Sequence, residues 1–175
     1  MTEPLPIIEL GHPILRQSAV WVEDFGDQQL QNLIDALLVT VQQANGVGIA
    51  APQVGASCRL FIMASRPNLR YPNAPLMEPT ALINPKVLSH SEQRVDDWEG
   101  CLSVPGLRGS VRRYQTIEVE YADRTGQQRV QTLTDFVARI FQHELDHLDG
   151  KVFLDRVEST QALMTEREFQ QRIMG

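Results

Sequence analysis

Only two cysteines, Cys58 and Cys101, occur in the 175 residues, too few for a disulfide scaffold. That count fits a reducing compartment and thiol chemistry better than a cross-linked secreted fold. Basic residues are outnumbered, 16 against 22 acidic, and a formal net charge of -6 leaves no basic footprint for direct nucleic-acid binding. No apolar run approaches the roughly 18 residues that a membrane helix needs, so no membrane partner is expected. Ala36-Leu37-Leu38-Val39 already ends at Thr40. The opening MTEPLPIIELGHPILRQ has no basic stretch leading into an apolar one, nor the Arg/Ser-rich character of a transit peptide, and a cytoplasmic setting is expected. Repeats, low-complexity tracts and long charge blocks are also missing, which predicts one domain over residues 1–175.

What is present is periodicity. Leu30, Leu33, Ile34, Leu37, Leu38 and Val41 form one stripe, predicting a helix over Gln28 to Ala44, capped by Asp27 and stopped at Asn45-Gly46. Strands are expected at Arg59 to Met63 and at Ala81 to Leu88, where Pro85 implies a sheet edge or a bulge. Thr116 to Tyr121 alternates apolar and acidic residues and should pair with Gln128 to Leu133 across the turn Asp123 to Gly126. Pro67 to Pro79 reads as an irregular excursion. A second helix is expected over Asp135 to Leu148 and a last one from Thr165, where Thr165-Glu166-Arg167-Glu168 has capping-box form. Without a βαβ rhythm, this pattern predicts an α+β fold.

The sharpest local signal is His143-Glu144-Leu145-Asp146-His147, an H-E-x-x-H pattern on the second helix. Residues four apart share a helix face, so both imidazoles can reach one metal ion, while Glu144 points away yet stays near a water on that ion. Phe136, Ile140, Phe141, Leu145 and Leu148 take most of the circumference, and Arg139, Gln142 and Asp146 share the remaining face. The plainer alternative is a pair of hydrogen-bonded core histidines. A catalytic site of zinc type wants three protein ligands and one open position for water. No His follows His147; Glu158, Glu166 and Glu168 remain downstream, and upstream the better candidate is Cys101, a soft thiolate flanked by Gly100. Cys58 reads as an ordinary buried cysteine and His12 as a loop residue. Gly46-Val47-Gly48-Ile49-Ala50-Ala51-Pro52-Gln53 offers an approachable backbone and one amide side chain, but it is no dinucleotide fingerprint.

Gly46 to Gln53, Glu99-Gly100-Cys101-Leu102-Ser103 and Gln142 to His147, taken together and in this order, closely resemble the three motifs of the peptide deformylases. The likeness runs from Gly11-His12-Pro13 to Val152-Phe153-Leu154-Asp155. Two departures stand out. Asp135-Phe136-Val137 stands where the family often has Gly-Phe-Pro, which bears on how the helix starts, and the Pro67 to Pro79 excursion is longer than in many members.

The resemblance implies a metal-dependent hydrolase that removes the formyl group from the N-terminal formylmethionine of new polypeptides and releases formate. It implies an α+β fold of antiparallel sheets around a central helix bearing H-E-x-x-H, with a C-terminal helix. It makes Cys101, His143 and His147 the metal ligands and Glu144 the general base and acid. The Gln53 side chain and the Leu102 backbone N–H would meet the oxyanion. Gly46, Val47, Gly48 and Gly100 would lie beside the peptide, with Arg139 and Ile140 in the methionine pocket. Iron(II) is the favoured ion, with zinc, nickel or cobalt as substitutes. The partners implied are N-formylmethionyl nascent peptides near the ribosomal exit; the mixed charge of Glu166 to Arg172 leaves docking on the ribosome open. A zincin-type endopeptidase would need a downstream third ligand and leaves Cys101 unexplained. A metal-stabilised binding protein needs neither an open position nor Glu144.

Overall fold

Leu60-Phe61-Ile62-Met63 is apolar at every position, as a strand covered on both faces must be. In the computed structural model, which describes residues 2–174, all four are buried, and alternate side chains enter two different cores. The strand belongs to a five-stranded antiparallel sheet. Its members are β1 (Gly48–Ala50), β2 (Leu60–Met63), β3 (Thr80–His90), β6 (Thr116–Ala122) and β7 (Gln128–Thr134), and their spatial order is β1-β2-β3-β6-β7. A second antiparallel sheet contains β4 (Arg94–Cys101), β5 (Val104–Tyr114) and β8 (Leu163–Thr165) in that order.

Helix α1 (Gln28–Gln43) lays Leu30, Ile34, Leu37 and Val41 on one face of the larger sheet, against Leu60, Ile62 and Ile83. Asp27 caps it by accepting from Gln29 N–H at 2.9 Å. Asn45 turns left-handed at φ 52°, and Gly46 N–H returns to Val41 O at 2.9 Å, so the helix stops where the Asn-Gly pair implied. Helix α2 (Asp135–Leu148) covers the opposite face, with Ala138, Ile140, Phe141 and Leu148 against Phe61, Met63, Leu82 and Val119. Phe61 and Phe141 meet edge to face, 5.2 Å between centroids. The smaller sheet packs on α2 from the other side, so this helix is enclosed. The C-terminal helix α3 is a single turn (Glu166–Phe169), capped by Thr165 and continued by a π-type turn over Gln170–Met174.

The α+β class, α1, α2 and the β6–β7 hairpin follow the periodicity. Four strands do not. β1, β4, β5 and β8 lack readable alternation: β4 carries Arg94, Asp96 and Asp97 at its open end, and Pro105, Gly106 and Gly109 interrupt β5. Pro85 marks a bulge and not an edge, since β3 lies between β2 and β6 and its register shifts between Ile83 and Lys86. The helix start at Asp135 has a conformation glycine would favour, φ 51°, which a short acidic side chain tolerates. Its backbone N–H donates to Gln115 O and its carboxylate accepts from Gln115 Nε2, both at 2.8 Å. Among the described residues no helix is long and apolar enough to cross a membrane.

The bulge turns on Asn84, also left-handed at φ 52°, whose amide accepts from Val22 N–H at 3.0 Å and donates to Val22 O at 2.8 Å. Asn84→Ala removes both bonds and places a Cβ-only residue in a disfavoured backbone region. It should lower unfolding free energy by about 1–3 kcal/mol in urea titration. An unchanged midpoint would mean that the bulge holds itself.

Candidate metal centre

The centre forms where the smaller sheet meets α2. Cys101 ends β4, and His143 and His147 lie one turn apart on α2, with ring centroids 5.2 Å apart. Cys101 Sγ is 3.3 Å from His147 Nε2, and one donor atom from each of the three residues lies within 4.8 Å of the others. One sulfur and two imidazole nitrogens suit zinc or iron(II) far better than magnesium or calcium. Burial opposes ionisation of the Cys101 thiol, but the imidazoles of His147 and His143 outweigh it and hold the thiol well below its ordinary value.

Behind His143 stands Glu99, buried two residues before Cys101. Its Oε2 lies 2.9 Å from His143 Nδ1. That contact commits Nδ1 as the protonated nitrogen and leaves Nε2 for a metal. Glu99 also receives Arg113 at 2.8 and 3.0 Å and Arg139 at 2.9 Å. Burial works against its charge, yet Arg113 and His143 keep the carboxyl well below the usual carboxylate range. Arg113 continues to Asp146 at 2.6 Å, and Asp146 is held from outside by Arg156. The polar face of α2 is therefore buried against β4 and β5: Arg139, Gln142 and Asp146 are no more than 9% exposed, and every one is bonded.

Glu144 is the exception to this satisfaction. It is 4% exposed, and among the described residues its Oε2 finds no hydrogen-bond partner. Burial pushes its carboxyl up to about 7 in spite of the two imidazoles. Gly48 explains how it fits, because a Cβ there would stand 2.5 Å from Glu144 Oε1. His147 Nδ1 is likewise buried without a partner.

Gln53 serves two ends. Its Oε1 accepts from Ala50 N–H at 2.8 Å, closing the turn after β1. Its Nε2 faces the centre, 3.1 Å from Ser103 Oγ and 3.5 Å from Cys101 Sγ. The turn-closing and site-facing roles therefore belong to opposite ends of one amide. Gly46, Val47, Gly48, Gly100 and Leu102 line the same cleft, as do Arg139 and Ile140 from α2. Arg139's guanidinium is not free there, being bound to Val95 O at 2.7 Å and Val111 O at 2.8 Å. His12 caps the turn Pro13–Arg16, and Cys58 lies apart, its thiol pushed up to about 11 by burial.

Sequence reasoning assigns no role to Glu99, although it opens the second motif, nor to Arg70, Tyr71, Trp98 and Phe136, which complete the cleft wall. Arg70 and Tyr71 come from the proline-rich excursion. Only its length marks it.

Arg113→Met should cost about 3 kcal/mol in urea unfolding, the low end for a broken buried pair, because Arg139 and Arg156 still serve Glu99 and Asp146. Unchanged stability would remove Arg113 as the tie between β5 and α2.

The sequence model of the polypeptide deformylase family matches residues 4–162. A protein named peptide deformylase 2 from Nostoc sp. is 65% identical over 171 residues, covering 98% of this chain and 96% of its own length. Another of that name from Shewanella oneidensis is 49% identical over 166 residues, covering 95% and 91%. Among solved structures, a class I type b peptide deformylase from Acinetobacter baumannii with Met-Ala-Ser bound matches at TM-score 0.87 and 43% identity. That match covers 90% of this chain and 100% of the other. The chain belongs to the polypeptide deformylase family.

Proposed function

We propose that this chain hydrolyses the formyl amide of N-formylmethionyl polypeptides to formate and a free amino terminus, with residues 1–175 acting as one catalytic domain. The observation that carries the reading is Glu144: a buried carboxylate oxygen without a partner, on the helix turn that bears both histidines. Cys101, His143 and His147 would hold the metal. The donor set fits the ion, and the orphaned Glu144 oxygen fits a water beside it. Iron(II) is the native ion in this reading, and zinc, nickel or cobalt can replace it. When bound, the ion supplies Lewis acidity and brings water within reach of a carboxylate base near neutral pH.

Glu144 Oε2 takes the proton from water as the water oxygen adds to the formyl carbon. It then gives that proton to the amine nitrogen as the C–N bond breaks. Gln53 Nε2 and the Leu102 backbone N–H are the donors for the charge growing on the formyl oxygen. Gly46, Val47 and Gly48 run into β1, an edge strand of the larger sheet, where an extended peptide can lie alongside; Gly100 forms the facing wall. Ile140 and the aliphatic stem of Arg139 contribute apolar surface for the methionine. Newly made chains are met in the cytoplasm in this reading, a setting that two unpaired cysteines suit, and docking at the ribosomal exit stays open.

Glu144→Gln keeps the shape and loses the base. Formate release from a formyl-Met tripeptide should fall about 10²- to 10⁴-fold while the metal content per chain stays that of the parent. Metal lost in step with activity would show Glu144 to be a structural or ligating residue instead.

A further inference from the structure

The proline-rich excursion is docked on β4 and β5 and braced by its own Asn68. Tyr71 Oη accepts from Gly100 N–H at 3.3 Å and donates to Gly100 O at 3.5 Å. Asn68 Oδ1 accepts from the backbone N–H groups of Arg70 and Tyr71 at 2.8 and 2.9 Å. Arg108 Nη2 reaches Arg70 O at 3.5 Å, and its guanidinium is sandwiched 4.8 Å from the rings of both Tyr71 and Phe169. The backbone at Arg70 is thus anchored, and its side chain enters the cleft that contains Cys101 and Glu144.

That side chain carries a surplus charge. Among the described residues no carboxylate lies within 4.0 Å of the Arg70 guanidinium, and the group makes no side-chain hydrogen bond. Glu166 feels its charge, but the Glu166 oxygens are already taken by Arg108 Nε at 2.7 Å, Arg108 Nη2 at 3.1 Å and Gln170 Nε2 at 3.0 Å. Arg108 therefore takes this carboxylate, and Arg70, whose guanidinium stands 5.8 Å from the centre of the Tyr71 ring, is left facing the cleft without one. Its position is close to the peptide's path. Arg70 Nη2 and Arg108 Nε each stand 3.0 Å from where a Gly100 Cβ would be, one residue before the proposed ligand Cys101.

We propose that Arg70 is a specificity-determining residue that binds a carboxylate on the substrate downstream of the methionine. The inference rests on the deformylase reading and adds a charge preference to it. The formylated end of the substrate is neutral, so the anion must come from an acidic side chain or, in a short peptide, from the free carboxyl terminus. A half-exposed arginine and carboxylate attract modestly, which sets the expected scale. Because Arg70 does not touch the reacting atoms, its contribution belongs in KM and not in kcat.

The test compares formyl-Met-Ala-Gln amide, formyl-Met-Ala-Glu amide and formyl-Met-Ala-Gln with a free carboxylate, on metal-loaded parent, Arg70→Gln and Arg70→Lys. For the parent, at least one anionic peptide should show a KM about three- to tenfold below that of the neutral amide, at equal kcat. Which of the two does so identifies the source of the carboxylate. The preference should vanish in Arg70→Gln, persist largely in Arg70→Lys, and shrink as salt is raised. Equal KM values for all three peptides on the parent would overturn the inference while leaving the deformylase reading intact. So would an equal rise for all three in Arg70→Gln, since that is the mark of a merely structural arginine. No formate from the neutral amide would instead overturn the deformylase reading itself.

Discussion

Glu99 is a carboxylate buried beneath the centre, and three cationic or protonated groups from two elements converge on it: Arg113 from β5, and Arg139 and His143 from α2. A charge so far from water is stable only with its lone pairs filled. Filling them fixes the smaller sheet against the helix at one position. Cys101 is two residues further along the same strand, so the constraint that neutralises Glu99 also sets the distance from sulfur to imidazole. It orients the His143 ring as well, because the nitrogen committed to Glu99 cannot face the sulfur. The Arg113–Asp146–Arg156 chain extends the same lock one turn down the helix, to the level of His147.

The helix itself is held by ordinary apolar packing on its other side. Phe141 against Phe61, and Ile140 and Leu148 in the same core, place α2 on the larger sheet. The centre thus sits between a dispersion-packed face and an ion-paired face. At β1 the backbone comes close enough to shape the opening, and it does so through a residue without a Cβ, Gly48. Glu144 can remain buried and unpaired there because its neighbours are spent elsewhere: Gln53 on Ala50 and Ser103, His143 on Glu99. An unsatisfied carboxylate is a cost that a purely structural helix would have no reason to carry.

Elements with strong periodicity are legible in the amino-acid sequence alone: α1 with its Asp27 cap, the alternating β6 and its partner β7, and α2. The donor set is legible by motif, as the H-E-x-x-H spacing puts two imidazoles on one face and Cys101 offers a candidate thiolate. What stays hidden is non-local. β4 and β5 are long strands whose exposed ends are charged and whose interior is broken by Pro105, Gly106 and Gly109, so no alternation marks them. Nothing in the sequence ties Arg113 or Arg139 to Glu99, because the carboxylate that buries them is 14 and 40 residues away. Where the family often has glycine, Asp135 has a left-handed backbone, φ 51°, a conformation that glycine favours and a short acidic side chain tolerates.

In the proposed function, Cys101, His143 and His147 together hold one ion and Glu144 stands beside it without binding it. X-ray absorption of the zinc-loaded chain reads this directly. The expected shell is one sulfur at about 2.3 Å and two imidazole nitrogens at about 2.0–2.1 Å, unchanged in Glu144→Gln. A first shell of nitrogen and oxygen alone, or one that changes when Glu144 is replaced, would contradict it.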